Sequence, residues 1–180
     1  MTSVVGHHAD WRERYIEVAY ERGHVQFFER VFSAANVRKL VIVSPWIASK
    51  ATDAFGIPAL ADFITRNRVP TTVVMRDPAK EPVNAEAAAI LKARTAPWLT
   101  LYYNNGVHAK VYVCRCQPFG FALLSSANLL PHGSRSCEVG LLVFGFGAGE
   151  KTVEELELLG TDYIPGKSES RLEWAPYFGR

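Results

Sequence analysis

Net charge, cysteine and long apolar runs are all scarce in this sequence. Twenty lysines and arginines against eighteen acids leave a formal charge of +2. That excludes a globally basic nucleic-acid coat. Any anion-binding patch must be local, which neither supports nor excludes nucleic acid as a partner. No stretch approaches the ~20 apolar residues of a membrane span, and no signal peptide opens the chain. The expectation is a cytoplasmic protein without stable membrane association. The three cysteines, Cys114, Cys116 and Cys137, are too few and odd in number for a disulfide scaffold. Cys-x-Cys with one distant partner is a weak zinc signal, and buried or edge thiols are the plainer reading. No metal and no cofactor are expected.

The chain is 180 residues long and 48% hydrophobic, one domain's worth with material for a substantial core. Residues 1–8, including His7 and His8, read as a disordered terminus. Residues 9–35 read as one helix or two, with Trp11, Tyr15, Val18 and Ala19 on one stripe. Val25, Phe28, Val31 and Phe32 form another, and Gly23 is a candidate break. His24 at that break reads as a surface or capping residue. Val37–Ile47 is the strongest strand signal, a near-continuous apolar run that suits a strand covered on both faces. Thr52–Arg68 follows as an amphipathic helix with Pro58 in its first turn. Thr71–Met75 reads as a strand, Asn84–Arg94 as an alanine-rich helix and Trp98–Tyr103 as a strand. Asn104-Asn105-Gly106 then predicts a hairpin into the next strand. Glu150–Leu159 reads as a short acidic helix packing by Val153, Leu156 and Leu159. Residues 165–180 read as an irregular tail docked through Leu172, Trp174, Tyr177 and Phe178. Strands separated by helices imply parallel neighbours and hairpins add antiparallel ones, so the fold class is α/β, a mixed sheet between helical layers.

The chemistry is concentrated between Val107 and Leu142. In an extended strand alternate side chains share a face, which groups His108, Lys110 and Tyr112. Phe119–Ser125 follows through a Pro-Phe-Gly hairpin and delivers Ser126 and Asn128 just past its end. Glu138 opens a third, apolar strand. Lys110 supplies an ammonium, Asn128 an amide NH2 and Ser126 a hydroxyl, donors that suit a bound anion. His108 is a nucleophile usable near neutral pH, imidazole having a reference pKa of about 6.5. Glu138 is placed to accept a hydrogen bond from the ring's other nitrogen and fix its tautomer.

HxK, a hydrophobic strand, a GSxN-like turn and a glutamate opening another strand together resemble the HKD motif of the phospholipase D superfamily. His108 and Lys110 match HxK. Ser125-Ser126-Ala127-Asn128 matches GSxN with serine for glycine, and Glu138 matches the acid that orients the histidine. The family's aspartate five residues after the lysine is Arg115 here. The resemblance implies the phospholipase D-like fold and a metal-independent phosphodiesterase with a covalent phosphohistidine on His108. Ser44 and Trp46, a serine-proline-aromatic strand end of the family's kind, would line the rim, although Trp46 reads equally as a core residue. The chain carries one HKD motif. Single-motif relatives bring two histidines together in a two-fold dimer, the second acting as general acid, a role worth roughly 10²–10⁴-fold. A homodimer with the site on its axis is therefore expected.

Each residue also has a plainer reading. His108 and Lys110 alone would be a solvated strand edge, Asn128 a cap or turn, Glu138 an edge-strand charge. His132 and Arg135 are plain loop residues or a basic loop binding substrate backbone. Tyr102, Tyr103 and Tyr112 would stack on bases or fill the core. Three functions stay open: a dimeric nuclease, DNA favoured and tied to restriction or phage defence; a phospholipase or small-molecule phosphodiesterase; and a non-catalytic nucleic-acid-binding module that keeps the phosphate pocket.

Overall fold

A computed structural model describes residues 15–20, 23–50, 55–131 and 138–176. The most apolar runs of the sequence become the middle of one sheet. In β2 (Lys39–Val43) all but Lys39 is buried, and β3 (Thr71–Met75) is buried throughout. Strands of that kind need cover on both faces. Around them lie β1 (Ile16–Tyr20), β4 (Leu99–Asn104), β5 (Val111–Arg115), β6 (Phe121–Ser125), β7 (Val139–Phe144) and β8 (Ser170–Trp174). The eight strands are ordered β1-β7-β6-β5-β2-β3-β4-β8. β2, β3 and β4 are parallel, and every other pairing is antiparallel.

Alternation along the strands divides the apolar side chains between two layers. Leu40, Ile42, Tyr112, Leu123 and Leu142 face three helices, α1 (Gly23–Ser33), α2 (Ile57–Asn67) and α3 (Asn84–Thr95). Phe27, Phe28, Leu60, Ile64 and Leu91 supply the helical side of that layer. Val41, Val43, Val111, Val113, Ala122 and Val143 face the other way. Their cover is thinner: Val153 of α4 (Gly149–Leu158) and Ile164, which follows a π-type turn over Leu159–Tyr163. The expected mixed sheet between helical layers is the fold observed.

Four readings are corrected. Ile16–Tyr20 is a strand paired with β7, not part of a helix. Its β-branched and aromatic residues at alternate positions satisfy a period of two as well as a helical stripe, and the open edge of β7 decides between them. Gly23, the candidate break, opens α1 after β1 has ended, but His24 is wholly buried rather than on the surface. The Asn104-Asn105-Gly106 segment does turn, the Asn104 side chain accepting the Gly106 N–H at 2.8 Å, but it makes no hairpin. β4 lies between β3 and β8, and β5 is separated from it by two strands, β3 and β2. Within the supposed irregular tail, Ser170–Trp174 forms β8 on the edge of β4. Residues 1–8, Tyr177 and Phe178 lie outside the described residues.

Candidate active site

Strand direction gathers the candidate residues at one edge. β2 ends at Val43, directly opposite the first residue of β5, Val111. β6 ends at Ser125, opposite Gly140 near the start of β7, and β3 ends at Met75 on the same side. Ser44, Arg76, Lys110, Ser126 and Glu138 therefore leave the sheet from one rim. In open α/β sheets the carboxyl ends of parallel strands are the usual place for a ligand.

β5 starts later than its pattern predicts, so His108 and Lys110 precede the strand instead of lying in it. They differ in exposure. The His108 ring is exposed, whereas Lys110 retains only 7% of its accessible surface. The ammonium Nζ donates to the His108 carbonyl at 2.9 Å and sits 3.3 Å from Nδ1 of the same ring. Burial lowers the Lys110 pKa; the carboxylate of Glu138 opposes that shift and the guanidinium of Arg76 adds to it. A half-desolvated ammonium with an acid and a second cation near it is prepared for an anion, which would restore its charge balance.

Ser126 and Glu138 meet directly: the Ser126 hydroxyl donates to the Glu138 carboxylate and accepts the Val139 N–H at 3.0 Å. The acid expected to orient His108 thus bonds to the serine in this state. Asn128 is half-buried, and its Oδ1 is a buried atom with no hydrogen-bond partner. An unpartnered buried amide costs about 1–3 kcal/mol, and turning it about its last bond would present NH2 donors there instead.

The residues after β2 and β3 are bonded much more fully. Ser44 does not line the rim. It is buried, donates to the Trp46 carbonyl at 2.9 Å and accepts the Leu129 N–H at 3.2 Å, joining the end of β2 to the segment that carries Asn128. Trp46 does reach the rim. Its ring stands edge-on to His108, with centroids 6.5 Å apart, and the Arg76 guanidinium lies 4.7 Å from its centroid. Arg76 Nε donates to the carbonyl of Val107, the residue before His108, at 3.1 Å, and its fork closes on Glu81 at 3.2 Å. The Trp46 indole and then Arg76 hold the Glu81 carboxyl below its usual range. Asn84 is buried. It accepts the Ile47 N–H at 2.7 Å and donates to the carbonyls of Pro45 and Arg76 at 2.9 and 2.8 Å.

Sequence reasoning missed Arg76, Glu81 and Asn84. Arg76 follows a buried strand at the edge where the site forms, a positional signal that was readable. Asn84 looked like an ordinary helix start. His132 and Arg135 lie outside the described residues. Of the three tyrosines, Tyr112 is fully buried and donates to the Ala127 carbonyl at 3.2 Å. Tyr103 is buried beneath the Arg171 guanidinium, and burial pushes its phenol up to about 12. Neither is open to a base. Cys114 is in the core and Cys116 donates to the Phe119 carbonyl at 3.0 Å.

No protein-family model and no curated sequence matches the chain. Solved structures do. A phospholipase D family member, Nuc from Salmonella typhimurium, superposes with a TM-score of 0.59 at 13% identity, over 89% of this chain and 98% of that one. Polyphosphate kinase from Porphyromonas gingivalis gives 0.60 at 14% identity, over 88% of this chain but only 27% of the kinase. TrmBL2, an archaeal chromatin protein with a novel mode of DNA binding, gives 0.53 at 11%, over 87% of this chain and 54% of that one. Similarity over nearly the whole of Nuc, together with the order of the strands around the HxK segment, establishes that this chain has the phospholipase D-like fold.

Proposed function

We propose that the protein is a metal-independent phosphodiesterase that cuts nucleic acid, DNA by preference, at a site shared by two copies of the chain. The observation that carries this reading is the buried ammonium of Lys110 beside the exposed His108 ring, with Glu138 and Arg76 close enough to shift its proton affinity. The fold shared with Nuc supports a phosphodiester as the target, and the fold shared with a DNA-binding chromatin protein favours DNA.

The bonds now made inside the site also indicate what must change on binding. Lys110 faces Nδ1 of His108, which leaves the proton of a neutral ring on Nε2. A phosphoryl group would draw the ammonium to its own oxygens. The ring would then exchange tautomer through solvent, losing the Nε2 proton and gaining one on Nδ1, where Glu138, freed from Ser126, accepts the Nδ1–H hydrogen bond and leaves Nε2 with the free electron pair. That nitrogen attacks phosphorus as the bond to the leaving alkoxide breaks, forming a phosphohistidine. The partner subunit's His108 gives the alkoxide its proton, then removes one from the water that cleaves the phosphohistidine. Lys110, Asn128 and Ser126 hold the phosphoryl oxygens throughout.

A second copy has a surface available. Ile16, Val18, Tyr20, Leu124, Val139 and Leu141 are all at least 40% exposed. Strand register places Val18, Leu124 and Leu141 side by side on the thinly covered face, with Val139 and Tyr20 opposite each other beside Ser126. An apolar strip of this kind suits a two-fold contact that places both histidines near one axis.

One measurement tests both parts. The protein is sedimented and each fraction is assayed on plasmid, single-stranded DNA and RNA in excess EDTA. Cleavage that follows the dimer is expected. Full activity in a stable monomer would remove the shared site, and hydrolysis of phospholipid vesicles without any nucleic-acid cleavage would replace the substrate.

A further inference from the structure

The rim does not end at His108. On the thinly covered face of the sheet a cleft of about 480 Å³ runs from His108 past Val107 to Leu159, Tyr163, Ile164 and Lys167. Its walls are mainly apolar, yet Tyr163 is left 61% exposed at the mouth. The Lys167 ammonium lies 4.0 Å from the Tyr163 ring centroid. This ring therefore already carries a cation on a π-face, in open solvent, without a core to fill.

Its position is built into the turn. Tyr163 is the last residue of the π-type turn, and such turns recur at functional sites. Gly160 lets that turn press on β2: a Cβ there would lie 2.4 Å from Val41 Cγ1 and 3.0 Å from Val43 Cγ2. The same strand ends at the rim. The turn is thus seated on the strand that pairs with β5, at whose start the histidine segment lies. Glu169 at the far side sets a limit, because its carboxylate discourages a second phosphate there.

We propose that this cleft is a base-binding subsite, in which Tyr163 stacks on the nucleotide next to the scissile phosphate while Lys167 faces the backbone on that side. The inference rests on the nucleic-acid reading above and narrows it to single strands. In a duplex both faces of each base are already stacked, whereas an unpaired base can leave its neighbours for an aromatic platform. Apolar walls suit a planar base, and the single cation among the residues lining the cleft beside the Tyr163 ring suits one phosphate.

Binding of a short fluorescein-labelled oligothymidylate, followed by anisotropy in a His108→Ala background, separates this subsite from the function on which it rests. Tyr163→Ala should weaken the single strand by about 10-fold, and Tyr163→Trp should restore it. The annealed duplex should bind more weakly and show no dependence on position 163. Tight single-strand binding that is equal in all three proteins would overturn the subsite and leave the nuclease reading intact. No oligonucleotide binding, with vesicle binding that Tyr163→Ala weakens, would overturn both and assign the cleft to lipid.

Discussion

The two halves of the rim are made from different kinds of residue. After β2 and β3, Ser44, Asn84, Arg76 and Glu81 use their polar groups on one another and on the backbone. Around β5, β6 and β7, Ser126 is bonded to Glu138 and Val139, but the His108 ring meets only the Lys110 ammonium by hydrogen bond among the described residues, and Asn128 leaves an acceptor unused. The first half behaves as a frame. The second, at Asn128, keeps hydrogen-bonding capacity that the fold does not use. Polar residues placed for a substrate are poorly satisfied without it, whereas polar residues placed for the fold are satisfied at once.

Substitutions on either side should separate these roles. His108→Ala, at an exposed ring, is expected to lower phosphodiester cleavage on the order of 10⁴-fold while the denaturation midpoint stays put. Residual activity within tenfold of the parent would end the covalent-histidine mechanism. Lys110→Met should cost about 10²–10³-fold in kcat, and its stability should change in the opposite direction. The folded-state pKa of Lys110 lies below the ordinary 10.5, so the buried charge opposes folding at neutral pH. That cost is full below the folded pKa and fades as pH rises towards 10.5. The methionine variant should therefore be the more stable protein at pH 7, with the advantage shrinking in alkaline buffer; urea titrations across that range measure it. Asn84→Ala acts from the frame. It leaves the Ile47 N–H and two carbonyls without their partner, and a loss of about 2–3 kcal/mol is expected in urea unfolding. Cleavage should fall only several-fold, through looser Trp46 and Arg76. A variant that loses all activity yet unfolds at the parent's midpoint would show that the frame takes part in the chemistry.

How much of this could be read in advance follows the same division. That the HxK pair, Ser126 and Glu138 come to one sheet edge could be read because they flank the ends of successive strands. The buried strands β2 and β3 could be read because an apolar run bounded by turns has few alternatives. The supports could not: Asn84 is 37 residues from the N–H that it accepts, and no local pattern encodes such a bond. The supposed Asn-Gly hairpin failed for a related reason. Local turn chemistry was correct, but the choice of strand partner is made by the whole sheet. β1 was misread because five residues of mixed pattern fit two periods, and only the edge of β7 distinguishes them. Arg115, where the family keeps an aspartate, shows why a departure in sequence need not be a defect. With Lys39 of the neighbouring strand it grips one α4 carboxylate, that of Glu157, at 3.3 and 2.7 Å.

Gly160 carries a consequence for how this protein can change. The turn it permits is seated on β2, one strand from the segment that carries the histidine. Ile164 is part of the core cover, but the exposed Asp162, Tyr163, Lys167, Ser168 and Glu169 can be rewritten in size and polarity without unseating the sheet. Under the proposed function, selection would alter the guest at these positions before it altered the reaction, and a library confined to them is where a new specificity would first be found.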